Sequence, residues 1–169
     1  MHKITHCISS FNNLNYLKLA VKSVRENSYY KDAPFIIHTE NSVDGTNEWL
    51  KENSEKWNFD YYIEDNDNPI GIGGGMNFCA ERVKTEFINF LHADFYVSKN
   101  WDIELLKMFD KYPDEKLMVF SHRIQPDIFG DENRPGTVFV PLSEFGEFHH
   151  NFDEKYFLTW ARDFTSIND

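Results

Sequence analysis

The chain has 169 residues, 41% of them hydrophobic and 17% aromatic, with a formal net charge of −11. That length suits one domain with a buried core, and this hydrophobic content excludes a disordered chain. The charge argues against nucleic-acid binding, which draws its affinity from neutralised phosphates, yet leaves room for a single nucleotide held through a divalent cation.

In chain order, residues 3–9 (KITHCIS) read as a strand. The helix that follows places Leu14, Leu17, Val21 and Val24 on one face, with Asn12 or Asn13 as its cap. Residues 34–39 (PFIIHT) form a second strand, and DGTNEWLKEN opens a second helix with Asp44 and Thr46 as cap candidates. Residues 59–64 (FDYYIE) read as a third, weaker strand. After the glycine-rich stretch PIGIGGGMN (69–77), the residues Met76, Cys79, Ala80 and Val83 share a helical face. Residues 86–91 (EFINFL) carry apolar side chains on both sides, the pattern of a strand buried on both faces. A fourth helix covers NWDIELLKMFDKY, and later strands are expected at KLMVFSH (116–122) and GTVFVPL (136–142). Asn151 with Glu154 resembles a capping box for a last helix, FDEKYFLTWARDF.

Strands alternating with helices predict an α/β fold, a mostly parallel sheet flanked by helices with right-handed crossovers. Cys7 and Cys79 each lie in an apolar stretch and are expected as reduced, buried thiols. No apolar run approaches the roughly 20 residues that span a bilayer. The start of the chain has no signal-peptide core, so a cytoplasmic protein is expected, with room for peripheral work at a membrane.

Ligands of such sheets bind beyond the carboxyl ends of the strands, so chemistry is sought in the loops there. In the glycine stretch, Gly71 and Gly73 would require a third glycine at the position of Met76 to complete a dinucleotide fingerprint, and no Lys-Ser/Thr follows to make a Walker loop. What remains is either a close backbone approach to a ligand or a plain mobile loop. Asp94 lies just past the strand at 86–91, with His92 on the same side of the extended chain. A carboxylate there ligates Mg2+ or Mn2+, or it caps a turn while the histidine packs. Glu40 ends a buried strand, where a charge needs a partner; a ligand amide and solvent are the two candidates.

Taken together, the loops resemble the family-2 glycosyltransferases of the GT-A fold, over about residues 3–108. ISSFNN looks like the first-strand loop that touches the nucleobase, and ENSVDGTNEWL looks like the "DxGSxDGT" segment. NPIGIGGGMNFCAERVKTEFINFLHAD looks like "NxGxxGGxNxGxxxAxGxxxxFLDAD", in the spacing of the rhamnosyltransferase-like branch. The resemblance implies a single glycosyltransferase domain over 1–169, with a nucleotide-sugar part at about 1–110 and a partial acceptor side at about 111–169. It implies a nucleotide-diphospho-sugar donor (UDP-, dTDP- or GDP-linked), a glycan or lipid acceptor, and Mn2+ or Mg2+. Ser9 and Phe11 would line the base pocket, Phe11 by stacking. Glu40 would stand near the base, and Gly73, Gly74 and Asn77 beside the nucleotide-sugar, in a segment (73–77) that would also begin the next helix. Asp94 would be the metal ligand of the DXD-type motif. His92 replaces that motif's first aspartate and Thr39 the first acidic residue of the second segment, and both changes lower the acidity around the donor.

An inverting transfer needs a general base. FDEKYFLTWARDF echoes the family's "FDExFFxxxEDxDL", which would make Asp163 that base, while the same residues read as an amphipathic helix with Phe157, Trp160, Ala161 and Phe164 on one face. His122, His149 and His150 are late histidines of the kind that sometimes complete the family's metal site, or surface and packed histidines. Members usually continue for another hundred residues or so, so the chain is expected to be either a short member or an amino-terminal piece that lacks the acceptor half and the base. The runner-up reading is a nucleotide-sugar-binding module that lacks the base.

Overall fold

The computed structural model describes residues 3–113, 115–126, 135–141 and 143–168. It divides into two compact units: residues 1–26 with 30–97, and residues 27–29 with 98–169.

The first unit is a four-stranded parallel sheet in the order β3-β2-β1-β4, built from β1 (Ile4–Ser10), β2 (Phe35–Glu40), β3 (Asp60–Glu64) and β4 (Phe87–His92). Every residue of β1 and β2 is buried, as central parallel strands require. Helices α1 (Leu14–Asn27), α2 (Thr46–Trp57) and α3 (Gly71–Ala80) make the connections. One face of the sheet carries Cys7 and Ile36, which pack with Cys79 of α3. On the other, the Phe35 ring meets Phe59 at 6.4 Å, and Phe59 stacks on Trp49 of α2 at 5.9 Å. Leu17, Val21 and Val24 of α1 and Leu50 of α2 are buried, so the helical stripe read from spacing is a core face.

Arg25 of α1 is a buried cation. Its guanidinium donates to the carbonyls of Trp57, Lys31, Ala33 and Asn58 and lies 5.3 Å from the centre of the Phe35 ring. Burial pulls its pKa down to about 10, so it stays charged at neutral pH. Both cysteines are free and buried, and the hydrogen bond between them, with burial, raises the Cys7 thiol.

Two local expectations are corrected in this unit. β4 is an edge strand with one open face, Ile88 at 38% and Phe90 at 47% exposure, rather than a strand buried on both sides. The first free amide of α1, Leu14 N–H, donates to Asp44 Oδ2 at 2.8 Å, so the cap comes from the loop after β2 and not from the Asn12 or Asn13 side chain. The Asn12 side chain instead accepts from Val43 N at 2.8 Å. The start of α3 lies within the glycine stretch, where the family resemblance puts it, and is entered through Gly71 at φ 67°, a left-handed turn that favours glycine.

The second unit holds α4 (Trp101–Lys111), a parallel pair β5 (Arg123–Pro126) and β6 (Thr137–Val140), and α5 (Glu154–Asn168). Asn100 N donates to Asn27 O, Tyr29 N to Asp102 Oδ1 and Trp101 Nε1 to Ser28 Oγ, which fixes the start of α4 on residues 27–29. The strand expected at 116–122 is absent there and starts at Arg123; Met118 and Phe120 are each 79% exposed, too open for a strand core. α5 is capped by Asp153, whose Oδ1 accepts from Tyr156 N at 2.9 Å, while Asn151 serves Phe148 N; the expected Asn151–Glu154 box is not formed. The amphipathic reading of this helix holds: Phe157 and Ala161 are buried, and Phe145 meets Phe157 and Trp160 edge-on. Among the described residues, no helix is long and apolar enough to cross a membrane.

Candidate functional site

A cavity of about 460 Å³ opens at the carboxyl ends of the strands of the first unit. The position follows from topology: β1 is central, and the loops after β1, β2 and β4 leave the sheet side by side. From β1 come Ser9, Ser10 and the following Phe11; from β2, Glu40 and Asn41; from β4, His92 and Asp94. Pro69, Gly71 and Ile72, at the entry to α3, form the remaining wall.

Phe11 is 59% exposed at the cavity, an aromatic face with no core to serve. Ser10 is buried, and its Oγ has no hydrogen-bond partner among the described residues. Asp94 is exposed, two residues past His92, and the backbone turns there through a Phe95 N to His92 O hydrogen bond. The His92 ring rests against Phe95, with centroids 5.1 Å apart.

Glu40 is nearly buried and already bonded. Its Oε1 accepts from Asn66 Nδ2 at 2.9 Å and Ile70 N at 3.0 Å, and its Oε2 from Gly71 N at 3.1 Å. The Asn66 side chain, then the Ile70 and Gly71 amides, hold this carboxyl below the usual carboxylate range against the opposing effect of burial. The first amides of α3 are therefore taken by the chain's own anion. Next to it, Asn41 Nδ2 donates to Asn66 O at 2.9 Å and Asn66 N donates back to Asn41 Oδ1 at 2.8 Å.

The close backbone approach lies at Gly75. An added Cβ there would sit 2.2 Å from Ser9 Oγ and 2.6 Å from His38 Nδ1. His38 is buried, with Nε2 3.0 Å from Glu64 Oε2, and its ring packs on Phe78 of α3 at 4.9 Å. So the glycine lets α3 settle onto β1 and β2 directly behind the cavity. An added Cβ at Gly73 would meet nothing within 4 Å.

Of the residues singled out from sequence, the cavity gathers Ser9, Phe11, Glu40, His92 and Asp94. Gly73, Gly74 and Asn77 lie along α3, outside the lining residues. Asp163 belongs to the second unit, exposed and 2.7 Å from the Arg162 guanidinium. Ser10, Asn41, Pro69 and Ile72 line the cavity without having been expected. Ser10 carried a signal of sorts, a second hydroxyl at the strand end beside Ser9.

The sequence profile of Glycosyl transferase family 2 matches residues 5–165. Comparison with curated protein sequences gives no match. Among solved structures, S. aureus TarS superposes with a TM-score of 0.57 at 18% identity over 85% of this chain and 24% of its own. The 1–349 form of TarS in complex with UDP-GlcNAc gives 0.57 at 17% identity, over 85% of this chain and 38% of that one. The mannosyltransferase PcManGT from Pyrobaculum calidifontis, in complex with GDP-Man and Mn2+, gives 0.54 at 13% identity, over 73% of this chain and 35% of its own. The chain thus spans well under half the length of each, and at these identities the likeness is one of fold. With a matching profile over nearly its whole length and a parallel sheet of the GT-A kind, the chain belongs to glycosyl transferase family 2.

Proposed function

We propose that the cavity binds the nucleotide of a nucleotide-diphospho-sugar and that the protein transfers the sugar, a hexose, to a hydroxyl of a glycan or lipid acceptor with inversion. The observation that carries this reading is the meeting of Ser9, Phe11, His92 and Asp94 in one cavity at the strand ends of a family-2 fold. Phe11 offers a face for base stacking. Ser9 and Ser10 offer hydroxyls to the base or ribose.

The residues present fit a divalent cation that shares its shell with substrate. No group of three or more His, Cys, Asp or Glu able to hold an ion occurs among the described residues. Asp94 supplies one exposed carboxylate and His92 one imidazole, and a Mg2+ or Mn2+ ion takes such sparse protein ligation when phosphates and water complete its coordination. When bound, the ion would stabilise charge on the leaving diphosphate. For the general base we name Asp163, which would take the acceptor hydroxyl's proton as its oxygen attacks the anomeric carbon. The domain division at about residue 110, between donor and acceptor sides, belongs to the same proposal, as does a cytoplasmic location peripheral to a membrane.

The surface ion pair of Asp163 with Arg162 favours a second reading, a nucleotide-sugar-binding module without turnover. Release of free sugar from a donor by the purified protein excludes the module.

A thermal shift with UDP, dTDP and GDP, each with and without Mn2+, tests the donor site. A ligand at 100 times its dissociation constant stabilises by about 2.7 kcal/mol. The expected result is a shift that needs both a nucleotide and the metal, and that Asp94→Ala abolishes. A shift that survives Asp94→Ala removes Asp94 from the metal site, and no shift with any pair removes the donor reading.

A further inference from the structure

Glu40 stands where a nucleobase-reading side chain is expected, yet its oxygens point at donors of this chain. The strand β2 ends at Glu40, and the segment that closes over it, residues 66–71, is brought back by Asn66 Nδ2, Ile70 N and Gly71 N. The paired bonds between Asn41 and Asn66 lie alongside. A carboxylate bonded in this way has about one of its four lone-pair sites left, on Oε2, and removing it takes the acceptor from Ile70 N and Gly71 N, while Asn66 Nδ2 keeps Glu64 Oε2 at 3.4 Å. The wall it secures, Pro69, Gly71 and Ile72, lines the cavity.

We infer that Glu40 is a positioning residue that does not read the nucleobase but holds residues 66–71 against the end of β2 and so sets the wall of the nucleotide cavity. The inference rests on the proposed nucleotide site for its consequence, though not for the hydrogen bonds themselves. Every nucleotide that enters meets the same wall, so loosening it weakens all of them alike. A side chain that read the base would instead shift preference among them.

The test compares wild type, Glu40→Ala, Glu40→Gln and Asn66→Ala in two measurements. The first is amide hydrogen exchange of residues 66–72 without ligand. The second is the dissociation constants of UDP, dTDP and GDP with Mn2+. Glu40→Ala is expected to speed exchange at Ile70 and Gly71 about tenfold or more and to weaken every nucleotide by a common factor, leaving their order unchanged. Glu40→Gln is expected to recover part of both effects, because its carbonyl oxygen still accepts from Ile70 while its amide opposes Gly71. Asn66→Ala loosens the same wall from the other side and carries the test if Glu40→Ala does not fold. Unchanged exchange overturns the inference, and so does an altered order of nucleotide preference. If the wild type binds none of the nucleotides, the donor reading fails, and the exchange measurement alone decides whether Glu40 holds the wall.

Discussion

Ser10 shows how a single buried hydroxyl links stability to binding. Its Oγ is hidden and without a partner among the described residues while it lines the cavity. An unsatisfied buried hydroxyl costs stability, and a ligand that satisfies it gains about 0.5–1.5 kcal/mol. Ser10→Ala is therefore expected to leave the urea midpoint unchanged or higher while weakening nucleotide binding by roughly 3- to 10-fold, read by calorimetry. Lower stability with unchanged affinity would show that the hydroxyl has a structural partner. At this scale the sequence is legible in part. Ser9, Phe11 and Asp94 sit where motif spacing set them, at the ends of strands. The bonding of Glu40 is not legible, since its partners lie 26 to 31 residues downstream and include backbone amides, which no side-chain pattern encodes.

The elements were readable wherever local periodicity and burial agree. α1 and β2 appear within a residue or two of where spacing puts them, because their apolar faces are also their core faces. The reading failed where tertiary contacts decide. β4 has apolar residues on both sides but lies at the sheet edge, and residues 116–122, apolar at Leu117–Phe120, pair with no strand among the described residues. The glycine stretch shows both sides: composition alone suggests a loop, the family spacing puts a helix start in it, and Gly75 lets that helix lie close on β1 and β2. Two neighbouring substitutions should separate these effects. Gly75→Ala is expected to destabilise by about 1–3 kcal/mol through its collision with Ser9 and His38. Gly73→Ala, in open space on the same helix, is expected to stabilise by about 0.5–1 kcal/mol. Denaturant midpoints of the two variants check both, and equal effects would mean that α3 is not docked as described.

Over the whole molecule, acid should act first on the loops of the candidate site. Burial raises the Asp44 carboxyl, but hydrogen bonds from Thr46 and Leu14 outweigh it, and Glu40 is likewise depressed. A carboxyl held below its unfolded value near pH 4 stabilises the fold fully above that value. The contribution is lost as pH falls through the lower folded-state value. The urea midpoint is accordingly expected to drop between about pH 5 and pH 3, and to drop less in Glu40→Gln; equal losses would deny Glu40 a share. The loops after β1, β2 and β3 are cross-linked by the chain's own hydrogen bonds: Asn12 to Ser42 and Val43, Asn41 to Asn66, Glu40 to Ile70 and Gly71. A rim stitched in this way is expected to need little ordering when a nucleotide enters. Nucleotide association in stopped flow should then rise linearly with concentration, without the plateau that a slow rearrangement before binding imposes.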